Sequence, residues 1–144
     1  MLDQIGLDAV LRETCTEFAA RTDVGVKLSC VELTARLPAD TELALYRILQ
    51  EALNNVERYA RARHVTVRLS LEDAFVQLVI SDDGVGFAPQ PHSTQRKEKT
   101  GLGLLGMRER ATSVAGSLVI KTSRRGGTEI EVRIPVPPTV RAVE

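Results

Sequence analysis

Residues 65–82, VTVRLSLEDAFVQLVISD, contain two apolar stretches separated by a short acidic turn. In the first stretch, apolar residues occupy every second position as far as Leu71, which is the period of a strand with one buried face. Glu72 and Asp73 suit a tight turn, and the residues from Phe75 onward predict a partner strand. The segment therefore predicts two neighbouring strands of a sheet.

The rest of the chain supplies further helices and strands on either side of this pair. Helices are predicted where apolar residues recur at helical spacing, at residues 7–18, about 41–60 and about 104–115. Further strands are predicted where apolar residues alternate, at residues 24–30, 118–122 and 128–134. We expect three helices over one mixed sheet in a domain of residues 1–136, followed by a flexible tail over residues 137–144.

Composition restricts the class of protein. The 144 residues suit one domain, and a hydrophobic content of 43% is enough for a packed core. Lys+Arg and Asp+Glu both number 19, which argues against a nucleic-acid partner. There is neither an apolar run of the ~20 residues that span a bilayer nor a secretory signal, so we expect a cytoplasmic protein. Cys15 and Cys30 are then expected to be reduced thiols.

The segment EALNNVERY, residues 51–59, carries the first candidate site on the second helix. Glu51, Asn55 and Arg58 are spaced at i, i+4 and i+7, so the helical period places them on one side. The two oxygen-bearing side chains suit Mg²⁺, and the guanidinium suits a phosphate. The alternative interpretation is a solvated polar face.

The segment DDGVGF, residues 82–87, is the second candidate site. It comes directly after an apolar strand, where the carboxylate of Asp82 can accept a hydrogen bond from an amino group such as that of adenine. Gly84 and Gly86 permit close approach of the backbone to a ligand. The alternative interpretation is an ordinary Asp-Gly turn.

A long polar segment and a second glycine pair follow. The 14 residues from Phe87 to Thr100, FAPQPHSTQRKEKT, predict a loop of a length typical of lids and binding loops. The next residues, Gly101-Leu102-Gly103-Leu104, are expected to open a helix, whose free N–H groups would attract an anion. This pair alone is weak evidence, since it matches neither the Walker A pattern nor a dinucleotide fingerprint.

A fourth segment, Gly126-Gly127-Thr128, precedes the last predicted strand. Thr128 can add a hydroxyl group to the floor of a nucleotide site, whereas the alternative interpretation is a simple hairpin turn.

The order and spacing of these four segments resemble the ATP-binding catalytic domain of bacterial sensor histidine kinases, in the superfamily shared with gyrase-type ATPases. Within it, YRILQEALNNVERYARA, DDGVGF, GLGLLGMRERA and GGTEIEVRIP are similar to the subgroup that phosphorylates NarL-type response regulators. The resemblance implies a Bergerat-type ATP-binding fold, an α/β (α+β) two-layer sandwich whose mixed, mostly antiparallel sheet is covered on one face by three helices.

The resemblance also implies roles for individual residues, with ATP and Mg²⁺ as the ligands. Asn55 would ligate the metal, and Glu51 would orient water or the attacking group. Asp82 would bind the adenine amino group. The remaining positions would contact the nucleotide, and they are Arg58, Tyr59, Gly84, Gly86, Thr100, Gly101, Leu102, Gly103, Leu104 and Thr128. Tyr59 stands where the subgroup more often has His.

The resemblance implies a histidine-bearing dimerisation domain as the phosphoryl acceptor, and the sequence shows no match to it. His64 and His92 lack the expected helical context, so we interpret both as surface histidines and expect a monomeric fragment that binds ATP without phosphorylating itself. Three alternatives stay open: an anti-sigma-type serine kinase of the same superfamily, a non-catalytic nucleotide-binding module, and a gyrase-type ATPase.

Overall fold

A computed structural model describes residues 2–84, 94–123 and 127–144, with the side chains of 2–5, 59–60, 94–102 and 123 left out of the description. Its helices and strands, in chain order, are α1 (Leu2–Arg21), β1 (Gly25–Cys30), α2 (Ala39–Asn55), a π-helical turn (Val56–Ala60), β2 (His64–Glu72), β3 (Phe75–Asp82), α3 (Thr94–Ser113), β4 (Ser117–Ser123) and β5 (Gly127–Pro135). Helix α1 is interrupted at Gly6, which has a φ of 80°.

The five strands form one mixed sheet in the order β1-β2-β3-β5-β4. Strands β1 and β2 are parallel, as expected for strands joined by a helical crossover through α2. The other pairs are antiparallel, and β2 pairs with β3 from Val65 opposite Asp82 to Glu72 opposite Phe75. The predicted strand pair at residues 65–82 is therefore confirmed, as is the pairing of the last two strands. The connection at 124–126 lies outside the described residues.

The three helices cover one face of this sheet and enclose the core. Each helix contributes a stripe of buried apolar residues at helical spacing, including Phe18 from α1, Leu49 from α2 and Met107 from α3. The sheet contributes alternate residues of its strands, such as Val67 and Leu78. The expected two-layer sandwich of three helices on a mixed, mostly antiparallel sheet is confirmed.

The second helix differs from its prediction near its end. Instead of continuing as a regular helix to residue 60, α2 ends at Asn55 and is followed by the π-helical turn, which ends at Arg61 in the left-handed conformation (φ 50°). A π-helical turn is wider than an α-helical turn and does not keep the 3.6-residue period. The i to i+7 spacing therefore does not place Arg58 on the same side of the helix as Glu51.

The third helix begins ten residues earlier than predicted, at Thr94 rather than near Leu104. The polar segment from Thr94 to Thr100 contains Gln, Arg, Lys and Glu, which have good helix propensity although they form no apolar stripe. The expectation of a continuous 14-residue loop is therefore wrong for its second half, and residues 87–93 lie outside the described part.

The C-terminal segment is attached to the domain, contrary to the expected flexible tail. Ala142 forms an antiparallel bridge with Leu33, and the N–H of Thr34 donates to the carbonyl of Arg141 (2.8 Å). Val140 is buried with the core. The segment therefore packs on the domain through backbone hydrogen bonds with residues 32–34, where a frayed tail was expected.

Candidate nucleotide site

Asp82 lies at the end of β3 and is buried, with 7% of its surface exposed. Its Oδ1 accepts a hydrogen bond from the backbone N–H of Gly84 (2.8 Å), and the carboxyl group also accepts from the backbone N–H of Thr128. Burial raises the pKa of Asp82, the two backbone hydrogen bonds oppose that rise, and the neighbouring Asp83 adds to it. A buried carboxyl group with a raised pKa is a common feature of functional sites.

Gly127 allows the first residues of β5 to approach this carboxyl group. Its φ is 81°, and a Cβ placed on it would overlap the carbonyl oxygen of Asp82 and lie 2.9 Å from Asp82 Oδ1. The next residue, Thr128, is buried, and its hydroxyl oxygen has no hydrogen-bond partner among the residues that the structure describes. The structure thus brings Asp82, Gly84 and Thr128 together, as the sequence analysis anticipated for one site.

Asn55 is the last residue of α2 and is 3% exposed. Within the described part of the chain its side-chain Nδ2 has no hydrogen-bond partner, which is unusual for a buried amide. Arg58, in the π-helical turn, is exposed. The two side chains therefore differ in environment, and a single polar stripe running through both is not what the structure shows.

Glu51 lies four residues before Asn55, on the part of α2 that faces α3. A Cβ on Gly103 would overlap the Glu51 carboxylate, the far end of a flexible side chain, so the two residues lie close together where α2 faces α3. The two residues line a cleft of about 420 Å³ between α1, α2 and α3, together with Asn54, Gly106 and Met107. Neither Asp82 nor Thr128 is among its lining residues.

The segment Gly101-Leu102-Gly103-Leu104 lies inside α3 and not at its start. Its backbone N–H groups belong to helical turns, so the expected set of free donors at a helix N-terminus is absent at this position in the described chain. The side chain of Leu104 packs against the hydrophobic core. Thr100 and Leu102 are described by their backbone alone, as is Tyr59 in the π-helical turn, while Gly86 lies outside the described residues.

Asp83 has a role that the sequence analysis missed. Its Oδ1 accepts hydrogen bonds from the backbone N–H groups of Arg63 (2.8 Å) and His64 (2.9 Å), and its Oδ2 lies 2.8 Å from His64 Nδ1. These hydrogen bonds, led by the backbone N–H of His64, lower the pKa of Asp83 to about 2. His64 is an exposed histidine, as interpreted from sequence, with an acidic partner. His92 lies outside the described residues.

Three further features of the described residues are the absence of a metal-binding cluster, the absence of a membrane-spanning helix and the state of the two cysteines. Within the described ranges no three His, Cys, Asp or Glu side chains are grouped to hold a metal ion, and no helix has the length and apolar character to cross a bilayer. Cys15 and Cys30 are both free, and burial raises the pKa of Cys15 to about 11 and that of Cys30 to about 12.

Comparison with known proteins identifies the family. The profile described as "Histidine kinase-, DNA gyrase B-, and HSP90-like ATPase" matches residues 40–138, so the chain belongs to this ATPase family. The match begins at the N-terminus of α2 and includes Asn55, Asp82 and Thr128. The expected family is thereby confirmed.

Individual relatives are sensor kinases. The chain is 36% identical over 135 residues to signal transduction histidine-protein kinase/phosphatase DegS of Brevibacillus brevis, covering 94% of this chain and 34% of that protein. It is 38% identical over 128 residues to sensor histidine kinase MctS of Rhizobium johnstonii, covering 89% of this chain and 27% of that protein. The chain thus spans about a third of the length of these relatives.

A solved structure confirms the fold. The histidine kinase domain from the Erythrobacter litoralis EL346 blue-light activated histidine kinase superposes with a TM-score of 0.72 at 20% identity, covering 92% of this chain and 62% of that one.

Proposed function

We propose that this chain is the ATP-binding catalytic domain of a sensor histidine kinase, acting in the cytoplasm. It binds ATP with Mg²⁺, and the γ-phosphoryl group then passes to a histidine on a separate dimerisation domain and from there to a NarL-type response regulator. The family and the names of the curated relatives support this assignment. The observation that carries it is the buried Asp82 carboxyl group, which is held by backbone N–H groups from two segments.

The adenine end of the proposed site is built around Asp82. A buried carboxylate that still has free acceptor capacity can accept a hydrogen bond from the 6-amino group of adenine. Gly127 and Thr128 lie beside it, and the Thr128 hydroxyl offers an unpaired polar atom to the base or to a bridging water. We assign Gly84 and Gly86 to the wall of this pocket.

The phosphate end is assigned to α2 and α3. Mg²⁺ in nucleotide sites is held by one or two protein oxygens together with phosphates and waters, so a single side chain such as Asn55 is sufficient. The fit is supported by the buried Asn55 amide, whose Nδ2 has no partner in the described structure and can donate to a phosphate or to water. When bound, the metal would neutralise charge on the phosphates.

The other phosphate-end residues complete the assignment. We assign Glu51 the role of orienting water or the attacking group, and its closeness to Gly103 of α3 supports this assignment. Arg58 can contact a phosphate oxygen because it is exposed. We also propose contacts to the nucleotide from Tyr59, Thr100, Gly101, Leu102, Gly103 and Leu104, which lie within the family match. These contacts do not use free N–H groups at a helix N-terminus, because residues 101–104 lie inside α3.

Phosphoryl transfer depends mainly on the position of the acceptor and the nucleotide, and it needs little covalent chemistry from the protein. An imidazole nitrogen of the acceptor attacks the γ-phosphorus, the bond to the bridging oxygen breaks, ADP leaves with that electron pair, and the imidazole releases one proton. The protein contributes binding, orientation and exclusion of water.

The proposal is tested by titrating the chain with ATP, with and without Mg²⁺, and measuring thermal stability. A hundredfold excess of ATP over its Kd should stabilise the fold by about 2.7 kcal/mol. Asp82→Asn should lose most of this effect, whereas Asp23→Asn, at an exposed aspartate, should retain it. No stabilisation of the parent chain at millimolar ATP would contradict the proposal.

Incubation with labelled ATP separates the alternatives. The domain alone should bind nucleotide and form no stable phosphohistidine. Rapid steady hydrolysis of ATP would favour a gyrase-type ATPase, and transfer to a serine of a partner protein would favour the anti-sigma-type kinase.

A further inference from the structure

The carboxylate of Asp83 joins the chain that follows Asp82 at the end of β3 to the residues at the start of β2. Its Oδ1 accepts from the N–H groups of Arg63 and His64 at 2.8 and 2.9 Å, and its own N–H donates to the carbonyl of His64 (3.2 Å). Three backbone groups and one ring therefore hold the residue that follows Asp82. Such a set determines both the position and the direction of the chain as it leaves β3.

The partner segment leads back to the metal end of the site. Arg63 and His64 follow the connection after the π-helical turn, which itself continues from Asn55. The carbonyl of Arg63 also accepts the N–H of Gly25 (2.9 Å), so this connection is fixed to β1 as well. Asp83 thus links the chain that leaves the Asn55 helix to the chain that leaves Asp82.

From this geometry we propose that Asp83 is a positioning residue, which orients Asp82 and Gly84 for adenine and holds them at a set distance from the Asn55 helix. The proposal rests on the proposed function, because it assumes that Asp82 reads the adenine amino group. Asp83 itself touches no nucleotide in this scheme.

The contrast between the two carboxyl groups supports a division of roles. Hydrogen bonding keeps Asp83 ionised, with a pKa of about 2, whereas burial raises the pKa of Asp82. The side chain of Asp83 is 47% exposed, and its oxygens pair with two backbone N–H groups and with the His64 ring. The side chain of Asp82 is buried. The Asp83 carboxylate therefore stabilises the fold, and the Asp82 carboxylate is available to a ligand.

The test compares binding of ATP with binding of inosine triphosphate, which lacks the 6-amino group. Asp83→Ala removes the carboxylate oxygen that accepts from the backbone N–H groups of Arg63 and His64. ATP should then bind roughly tenfold more weakly, while binding of inosine triphosphate changes little. The preference for ATP should therefore shrink. Asp83→Asn keeps an acceptor oxygen for Arg63 and His64 and should preserve the preference, which is the rescue expected of a positioning role.

Each outcome decides the proposal. Equal weakening of both nucleotides by Asp83→Ala, or an unchanged preference, would overturn it and leave a structural role alone. If Asp83→Ala does not fold, Asp83→Val, which also lacks an acceptor oxygen, must show the same loss of preference. Asp82→Asn is the reference: if it abolishes the preference while the Asp83 variants do not, the proposed function survives and this inference fails. If the parent chain does not distinguish the two nucleotides, the adenine assignment itself is wrong.

Discussion

At the scale of single residues, Asp82 and Asp83 show how two adjacent carboxyl groups acquire opposite properties. Asp82 points into the protein beside β5, and burial raises its pKa. Asp83 accepts N–H groups at the edge of β2, which lowers its pKa to about 2. The difference arises because Asp82 is the buried last residue of β3, whereas Asp83 lies just beyond the strand and is largely exposed to solvent.

The raised pKa of Asp82 predicts a conflict between stability and binding. The folded chain holds this proton more tightly than the unfolded chain, so stability is greatest while Asp82 is protonated and falls as pH rises through its titration. Asp82→Asn removes this dependence and should be at least as stable as the parent at pH 7, with an advantage that shrinks toward acidic pH. Urea unfolding as a function of pH measures it.

Nucleotide titrations of the same variant should show the opposite change. Loss of a hydrogen bond to a charged acceptor should weaken ATP binding by roughly 10- to 100-fold and reduce the preference for ATP over GTP. A variant that is less stable than the parent at pH 7, or that binds ATP normally, would contradict the assignment.

Gly127 is expected to tolerate no side chain. Its positive φ and the overlap of a Cβ with the Asp82 carbonyl predict that Gly127→Ala loses about 2–4 kcal/mol of unfolding free energy. Gly106→Ala is a matched control in α3, where a Cβ meets nothing within 4 Å, and it should gain up to about 1 kcal/mol. Chemical denaturation of both variants checks the pair, and similar stabilities would show that the close approach is unimportant.

At the scale of elements, the end of α2 matters most for the proposed site. The helix buries Asn55 in its last turn, and the π-helical turn then exposes Arg58. π-Helical turns are rare, and they occur frequently at functional sites. The sequence shows that residues 54–59 are mostly polar. It does not predict the π-helical turn, because such a turn produces no periodic pattern of apolar residues.

Asn55→Asp should alter the response to the metal. It places a negative charge at a buried position and removes the amide donor, so the Mg²⁺-dependent gain in ATP affinity should fall at least about tenfold. Asn54→Asp makes the same chemical change one position earlier, at an exposed residue, and should leave that gain intact. Calorimetric titration with ATP at fixed Mg²⁺ and in a chelator measures the difference. An unchanged gain in Asn55→Asp would remove Asn55 from the metal site.

At the scale of the whole molecule, the C-terminal segment completes the domain. It adds a short bridge beside the end of β1 and buries Val140 in the core. The family match ends at residue 138, just before this segment.

Truncation after Pro138 should therefore destabilise the domain. Removal of Val140 and of the hydrogen bonds made by Thr34 and Val143 should cost about 2–4 kcal/mol of unfolding free energy. Deletion of Glu144 alone is the control. A truncated chain with the stability of the full chain would restore the interpretation of a free tail.

Local periodicity by itself determined the two antiparallel strand pairs and the three helices, while the resemblance of four short segments to a known family indicated the family. It failed where information is not local or not periodic: the extra turns of α3 carry helix propensity without an apolar stripe, and the tail pairs with a segment far away in sequence. Only the tertiary structure decided that Asp82 lies against Gly127 and Thr128, and that Asp83 holds Arg63 and His64. The physical reason is that burial and hydrogen bonding between distant segments, which set the pKa and the orientation of these carboxyl groups, exist only after the sheet has formed.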